Sequence, residues 1–285
     1  MSYPNPKFIK GLIATTLALA AVQAAQAENK LFPTDVLNQG QLDASATLSG
    51  SKSTDDFVYN PSSQPGTSKN YTSQLSAGMR YGVNASLTVG GTVSGVDERA
   101  TTIYNNVPVR YDDTASGIHS ESIFAKYAFI GGKNAPMTLS GEITATTYSS
   151  HNIGGDGYNA ATVQLFAGWD CGQGVRSYAT LHFTAPDRGN HTKSEGVTVG
   201  SWISVSDNAT IIPSLSLSHS QETTTTPATS SYTLGLAGLV AVDTNTYLRP
   251  AASIGKQTSH DSLNGNFHYD GSKTESASLE LYHLF

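Results

Sequence analysis

The chain is poor in several things at once. Cysteine is represented by Cys171 alone, which excludes an internal disulfide framework and a cysteine-rich zinc centre. Charged residues fill 13% of 285 positions, about half the usual ~25% of a soluble domain. Apolar residues reach only 38%, too thin a stock for a packed α/β enzyme, so the composition argues against a Rossmann or helical-bundle fold. Basic charge is scarce too. The formal net charge is -6 with a pI near 5.7, and no basic surface suits nucleic acid. Beyond the N-terminus no segment approaches the ~20 apolar residues of a membrane-spanning helix. Ser, Thr, Gly, Asn and Ala fill the gap.

The N-terminus reads as a secretory leader. Lys7 and Lys10 form a basic region, Gly11–Val22 an apolar stretch, and Ala25-Gln26-Ala27 a small-residue cleavage site. The apolar stretch is too short to span a bilayer and no cationic stop-transfer flank follows it. Cleavage after Ala27 leaves 258 residues with a charge of -8. Residues 28–40 then form a short periplasmic segment, too small for a plug domain, a hatch or a passenger, and 41–285 form the body of the protein.

That body alternates apolar and polar residues throughout. Leu42, Ala44, Ala46 and Leu48 alternate with Asp43, Ser45, Thr47 and Ser49, and eleven further runs centre on 71–81, 85–93, 123–129, 137–145, 161–169, 175–183, 197–205, 211–217, 232–240, 248–254 and 277–285. Period two predicts strands with one apolar and one polar face. Pro213 and Pro250 interrupt two runs and call for bulges or strand ends there. The connections alternate in length. Short ones lie at 82–84, 130–136, 172–174, 206–208 and 243–245, where Gly, Asn and Asp suit tight turns. Long polar ones lie at 51–70, 95–118, 150–158, 186–194, 220–230 and 259–272. An even strand number with all short turns at one end predicts an all-β, closed up-and-down antiparallel transmembrane barrel of about 12 strands.

Lipid should lie outside. The polar parity is Ser, Thr, Gly and Gln with few charges, unlike a solvated exterior. Aromatics on the apolar parity fall into two girdles: Tyr81, Phe129, Trp169 and Phe285 near the short turns, Tyr71, Phe183 and Tyr232 near the long loops. The chain ends on Phe285 in strand parity. This resembles the C-terminal signature of Gram-negative outer-membrane proteins, in which a terminal Phe is read by the barrel-assembly machinery; His283 departs from that signature. The opening Asn29–Asp43 and the strand end Met79-Arg80-Tyr81-Gly82 resemble the meta-pathway of phenol degradation transporter family. That resemblance, over a tenth of the chain, implies passage of small compounds, aromatic ones among them.

The lumen-facing charges in this register are Asp43, Arg80, Lys126, Glu142, Asp170, Arg176, Arg249 and Glu280. They either line a constriction that selects solutes by charge or pair across the lumen and brace it. An enzyme is the weakest alternative. Outer-membrane phospholipases use an outward Ser-His-Asn set, and His219 points outward among serines, but no local motif supplies the base and its orienting group. His119, His151, His191, His260 and His268 sit in or beside long loops without metal-ligand spacing, and Gly154-Gly155-Asp156-Gly157 falls short of a calcium loop. The expectation is a non-enzymatic, cofactor-free outer-membrane channel for small solutes, surrounded by outer-membrane lipid. A structural or surface-display barrel with a closed lumen is the alternative.

Overall fold

The computed structural model describes residues 31–105, 110–131, 135–150, 156–224 and 226–285. The leader and its cleavage site lie outside the described residues, as do His151 and the first two glycines of the 154–157 tetrad.

Each alternating run becomes one long strand. In chain order these are β1 (Leu42–Tyr59), β2 (Gln64–Asn84), β3 (Leu87–Tyr104), β4 (Arg110–Ile130), β5 (Met137–Tyr148), β6 (Tyr158–Gly172), β7 (Val175–Pro186), β8 (Ser194–Ser206), β9 (Ala209–Ser220), β10 (Thr229–Ala241) and β11 (Thr246–Gln257). Two short strands follow, β12 (His260–Asp261) and β13 (Phe267–Tyr269), before the last long one, β14 (Lys273–Leu284). Sequence neighbours pair antiparallel, β11 pairs with β14, and β14 returns to β1. That seam runs unbroken from Asp43↔Leu284 to Thr54↔Lys273, so the twelve long strands form a closed barrel, above which β4 extends past its last pairing with β5 at Ser120↔Tyr148.

The apolar parity faces outward. Leu48, Ile123, Ile143, Leu181, Leu236 and Ile254 are 56–71% exposed, a loss of hydrophobic burial that water would not tolerate on this scale. The opposite parity holds the buried polar side chains Asp43, Thr88, Ser94, Lys126 and Ser140. All seven girdle aromatics lie on the outward parity, and Tyr71, Tyr81, Phe129, Trp169, Phe183 and Tyr232 are exposed there.

Several boundaries differ from the sequence reading. The β2–β3 turn is Ala85-Ser86, not 82–84. Asn84 Oδ1 accepts the N–H groups of Ser86 and Leu87 at 2.9 Å each, so an Asx turn outcompetes a glycine turn. Residues 51–59, 64–70, 95–104 and 110–118 are strand rather than loop: β1 to β4 run 18–21 residues against 12–15 for the other long strands. At about 3.3 Å per residue this lifts one side of the wall by ~20–30 Å along the strands. Above the membrane both faces are hydrated, so the alternation that marks a strand disappears from the sequence. β13 continues the wall beside β1 through Phe57↔Tyr269 and Tyr59↔Phe267. Phe57 anchors this extension, with the rings of Tyr104, Phe267 and Tyr269 at 5.4, 5.7 and 6.0 Å. Gly66 is required beneath it, since a Cβ there would lie 2.3 Å from the ring.

Neither proline ends its strand or shifts its register. Between β8 and β9 the ladder skips from Gly200↔Ser214 to Ile203↔Ile211, around Pro213. Between β10 and β11 it skips from Ala237↔Ala251 to Val240↔Leu248, around Pro250. The missing N–H donors thus open short gaps in otherwise continuous pairings.

Ile143→Arg, at mid-height on the outer face of β5, is expected to lower folding stability by about 2–4 kcal/mol, and lumen-facing Thr144→Lys by less than ~1 kcal/mol. Denaturant unfolding in lipid vesicles measures both; equal losses would contradict the assigned faces.

Candidate functional site

The bore narrows at the short-turn end, and the cause is the N-terminal segment. Sequence reading placed residues 28–40 in the periplasm; from Leu31 onward they are folded into the barrel mouth. Two turns compact the segment: Asp35 N–H donates to the Phe32 carbonyl at 2.8 Å and Gln41 N–H to the Asn38 carbonyl at 3.0 Å. Phe32 (2% exposed) packs among Tyr178, Ile212 and Leu239, with the Tyr178 and Trp202 rings edge-on at 5.9 and 5.6 Å. Leu37, fully buried, packs with Tyr282 and Leu284. Polar contacts fix the same stretch. Leu37 N–H donates to Thr88 Oγ1 at 2.7 Å, the Thr34 and Thr138 hydroxyls lie 2.7 Å apart, and Gly40 N–H donates to the Gly82 carbonyl at 2.8 Å.

Glycines in the wall make room for the segment. A Cβ on Gly82 would stand 1.9 Å from the Asn38 carbonyl oxygen, and one on Gly168 would stand 2.6 Å from the Phe32 ring. These glycines lie on the lumen parity, so their absent side chains are spaces the segment occupies.

The predicted lumen charges gather here, mostly in pairs. Asp43 is 2% exposed; it accepts from Arg80 at 2.5 and 3.0 Å and from the Tyr282 hydroxyl at 2.8 Å. Arg249 and Glu280, partners in register, meet at 3.0 Å. Arg176 reaches Asp35 of the segment at 3.5 Å and lies 3.8 Å above the Phe32 ring. Lys126 donates to the Pro33 carbonyl, sits 4.2 Å above the Phe166 ring, and faces Glu142 in register. Asp170 departs from the group: its carboxylate accepts the Gly172 N–H at 2.7 Å and serves the β6–β7 turn. Pairing cancels most of the field these charges would project into the bore.

Sequence reasoning missed Phe32, Asp35, Tyr178, Trp202 and Tyr282. A signal was present. Tyr178, Trp202, Tyr247 and Tyr282 are large rings on the parity otherwise given to Ser and Thr, and all lie close to the short turns.

Above the segment the wall is lined by hydroxyls, joined across strands by Thr92–Ser122 (2.6 Å), Thr162–Thr184 (2.9 Å), Thr198–Ser216 (2.8 Å) and Ser253–Ser276 (2.7 Å). A cavity of about 390 Å³ lies directly over Leu31 and Pro33, lined by Tyr178, Ser214, Arg249, Ser253, Ser276 and Ser278 among others. At the long-loop mouth, Tyr148 and Tyr158 stack at 4.6 Å and His191 stacks on Tyr158 at 3.8 Å. On the raised wall, burial pushes the Asp55 carboxyl above its ordinary range, and the charge of His260 partly offsets this.

The catalytic alternative meets a specific geometry. His219 Nδ1 and Ser230 Oγ lie 3.0 Å apart on the outer face, the outward pair that an esterase would need. Glu195 is the register partner of His219, but among the described residues no hydrogen bond or ion pair joins them. A triad base would need such a third group to orient its imidazole.

No family model matches the chain and no curated protein matches it. Among solved structures, an outer membrane channel from Pseudomonas putida F1 is similar with a TM-score of 0.61 at 11% identity, covering 90% of this chain and 100% of that one. A FadL homologue from Pseudomonas aeruginosa has a TM-score of 0.49 at 12% identity, over 90% of this chain and 96% of that one. The translocator domain of autotransporter NalP from Neisseria meningitidis has 0.46 at 13%, over 98% and 95%. The first of these likenesses carries the shared fold, that of an outer-membrane β-barrel.

Two outcomes follow from the mouth. Gly82→Val is expected to dislodge residues 37–39, so that chymotrypsin cuts at Phe32 and Leu37 in a barrel whose heat-modifiable gel migration is unchanged; protection as in the wild type would contradict the packing. Asp43→Ala removes the buried carboxylate that Arg80 and Tyr282 share and is expected to cost about 3–5 kcal/mol of unfolding free energy, whereas Arg80 and Asp43 replaced together by apolar residues should recover much of the loss.

Proposed function

We propose that the protein is an outer-membrane channel for small, predominantly uncharged polar solutes, with its periplasmic mouth constricted by residues 31–41. The observation that carries this reading is the hydroxyl-lined bore standing directly above the segment. A lumen kept only for structure gains nothing from a cavity of about 390 Å³ in which Ser214, Ser253, Ser276, Ser278 and Arg249 converge beside apolar residues such as Trp202 and Ile212, a volume in the range of small-ligand sites. Phe32 and Leu37 anchor the segment to opposite stretches of the wall at the mouth, so solutes pass beside the segment or displace it.

Paired charges favour neutral cargo. Arg80 with Asp43, Arg249 with Glu280 and Arg176 with Asp35 leave little net field, so charge selectivity should be weak and only mildly salt-dependent. The resemblance to the phenol-degradation transporters adds small aromatic compounds to the candidate solutes. The rings at the long-loop mouth, Tyr148, Tyr158 and His191, suit such compounds. The same constriction also supports the second reading, a barrel with a permanently closed lumen.

Planar-bilayer conductance and liposome swelling separate the two. The wild type is expected to pass small neutral solutes with low unitary conductance. Removal of residues 31–40 should raise conductance severalfold while the barrel remains folded. Absence of conductance and swelling in both proteins would overturn the channel and leave the closed barrel.

A further inference from the structure

The chain has few cations, and four of the six lysines among the described residues stand together on the outer wall. They sit where the apolar belt ends. On β11 the outward residues climb from Leu248 through Ala252 and Ile254 to Lys256. On β14 they run from Leu281 through Leu279 and Ala277 to Glu275 and Lys273. On β1 Leu48 and Gly50 precede Lys52, and on β2 Leu75 and Tyr71 precede Lys69. These four strands adjoin in the order β11-β14-β1-β2, so the lysines form one sector.

Two girdle rings fix the height of this sector. Tyr232 is the register partner of Lys256, and Tyr71 is the partner of Lys52 on one side and of Arg99 on the other. Aromatic girdles mark the boundary between hydrocarbon and headgroups, so the ammonium groups stand among headgroups. The far sector differs: the girdle ring Phe183 has Glu195 as its partner.

The lysines are not neutralised from within. Lys256 and Lys273 are direct register partners, an arrangement in which like charges repel. Among the described residues none of the four forms an ion pair. Two acids stand near them on the same face: Glu275 opposite Lys52, and Asp56, one outward step above Thr54, the partner of both Lys69 and Lys273, whose carboxylate accepts the Thr67 hydroxyl. A chain this sparing of charge has no folding reason to oppose two lysines at a lipid boundary.

Two rows below the lysine pair the wall is shallow. Ile254 and Glu275, facing each other, form the row between; under it Ala252 faces Ala277, and Ala277 faces Gly50, so this row carries small outward groups beside the larger Leu236. Cations above a shallow apolar strip match a molecule with phosphate at the top and acyl chains below. A soluble anion would have no use for the strip.

We propose that the outer wall from β11 across β14 and β1 to β2 is a binding site for a phosphorylated lipid of the surrounding leaflet. Lys256 and Lys273 clasp one phosphate, Lys52 and Lys69 extend the site, and the Ala252–Ala277–Gly50 strip seats acyl chain. The bound phosphate removes the repulsion between the paired lysines and so stabilises the β11–β14 ladder.

The test uses the purified barrel in phosphatidylcholine nanodiscs doped with diphosphoryl lipid A, with retained lipid counted by mass spectrometry. Lys256→Gln with Lys273→Gln is expected to lower retention at least about fivefold, and raised salt should weaken wild-type retention in the same direction. Lys193→Gln, in a loop outside the sector, should leave it unchanged, and heat-modifiable migration checks that each variant is folded. A second arm needs no variant: fully dephosphorylated lipid A should be retained at least about fivefold less by the wild type. Equal retention by the double variant, or of the dephosphorylated lipid, overturns the proposal. Displacement of the lipid by equimolar inorganic phosphate would assign the lysines to a soluble anion and overturn it as well.

Discussion

A peptide group inside hydrocarbon has no water to bond, and each one left unpaired costs several kcal/mol. That constraint accounts for the seam between β1 and β14, the longest-range contact in the chain. Apart from its short continuation between β1 and β13, every other ladder joins strands close in sequence and could form in an open sheet. Only this one removes the two edges, and it is unbroken over its length. The gaps that prolines impose fall elsewhere, beside Pro213 and Pro250, and in both places the adjoining ladder on the other side of the proline strand continues.

Closure creates an interior, and the interior has its own electrostatics. Lumen charges far from bulk water are costly unless paired, which explains why Asp43 is met by both Arg80 and Tyr282 and why Arg249 and Glu280 oppose each other in register. Arg176 and Lys126 find their partners on the N-terminal segment instead, at Asp35 and the Pro33 carbonyl. The segment is thus held by cations of the wall as well as by Phe32 and Leu37, and the mouth of the bore is a joint product of barrel and segment. Above it, hydroxyls pair across strands and leave a polar but nearly uncharged surface. The two faces of one sheet thereby solve opposite problems, apolar where lipid touches and hydrogen-bonding where water or solute touches.

Legibility in the sequence followed the local physics. Twelve strands and their outward parity were readable because lipid on one side and polar lumen on the other impress a period of two on the residues. The same reasoning failed where that contrast vanishes. The upper parts of β1 to β4 are polar on both faces, so Ser, Thr, Asn and Asp there looked like loop. The site was half legible. Asp43, Arg80, Arg249 and Glu280 fell on the polar parity of their runs, but which charge meets which was set by the strand register of the folded barrel. Asp35, Phe32 and Leu37 were not placed, because nothing in a short irregular stretch says that it turns back into the barrel it precedes.

By itself, then, the sequence determined the barrel: alternation sets which atoms meet lipid, and the need to satisfy every backbone group there leaves closure as the solution. Only the tertiary structure decided the state of the bore. Whether a ring of lumen residues is open or filled depends on what lies across it, and Gly82 and Gly168 acquire meaning only when Asn38 and Phe32 occupy the space they leave. The grouping of Lys52, Lys69, Lys256 and Lys273 likewise exists only once β14 lies between β11 and β1, since adjacency around a closed sheet brings together residues that the chain holds some two hundred positions apart.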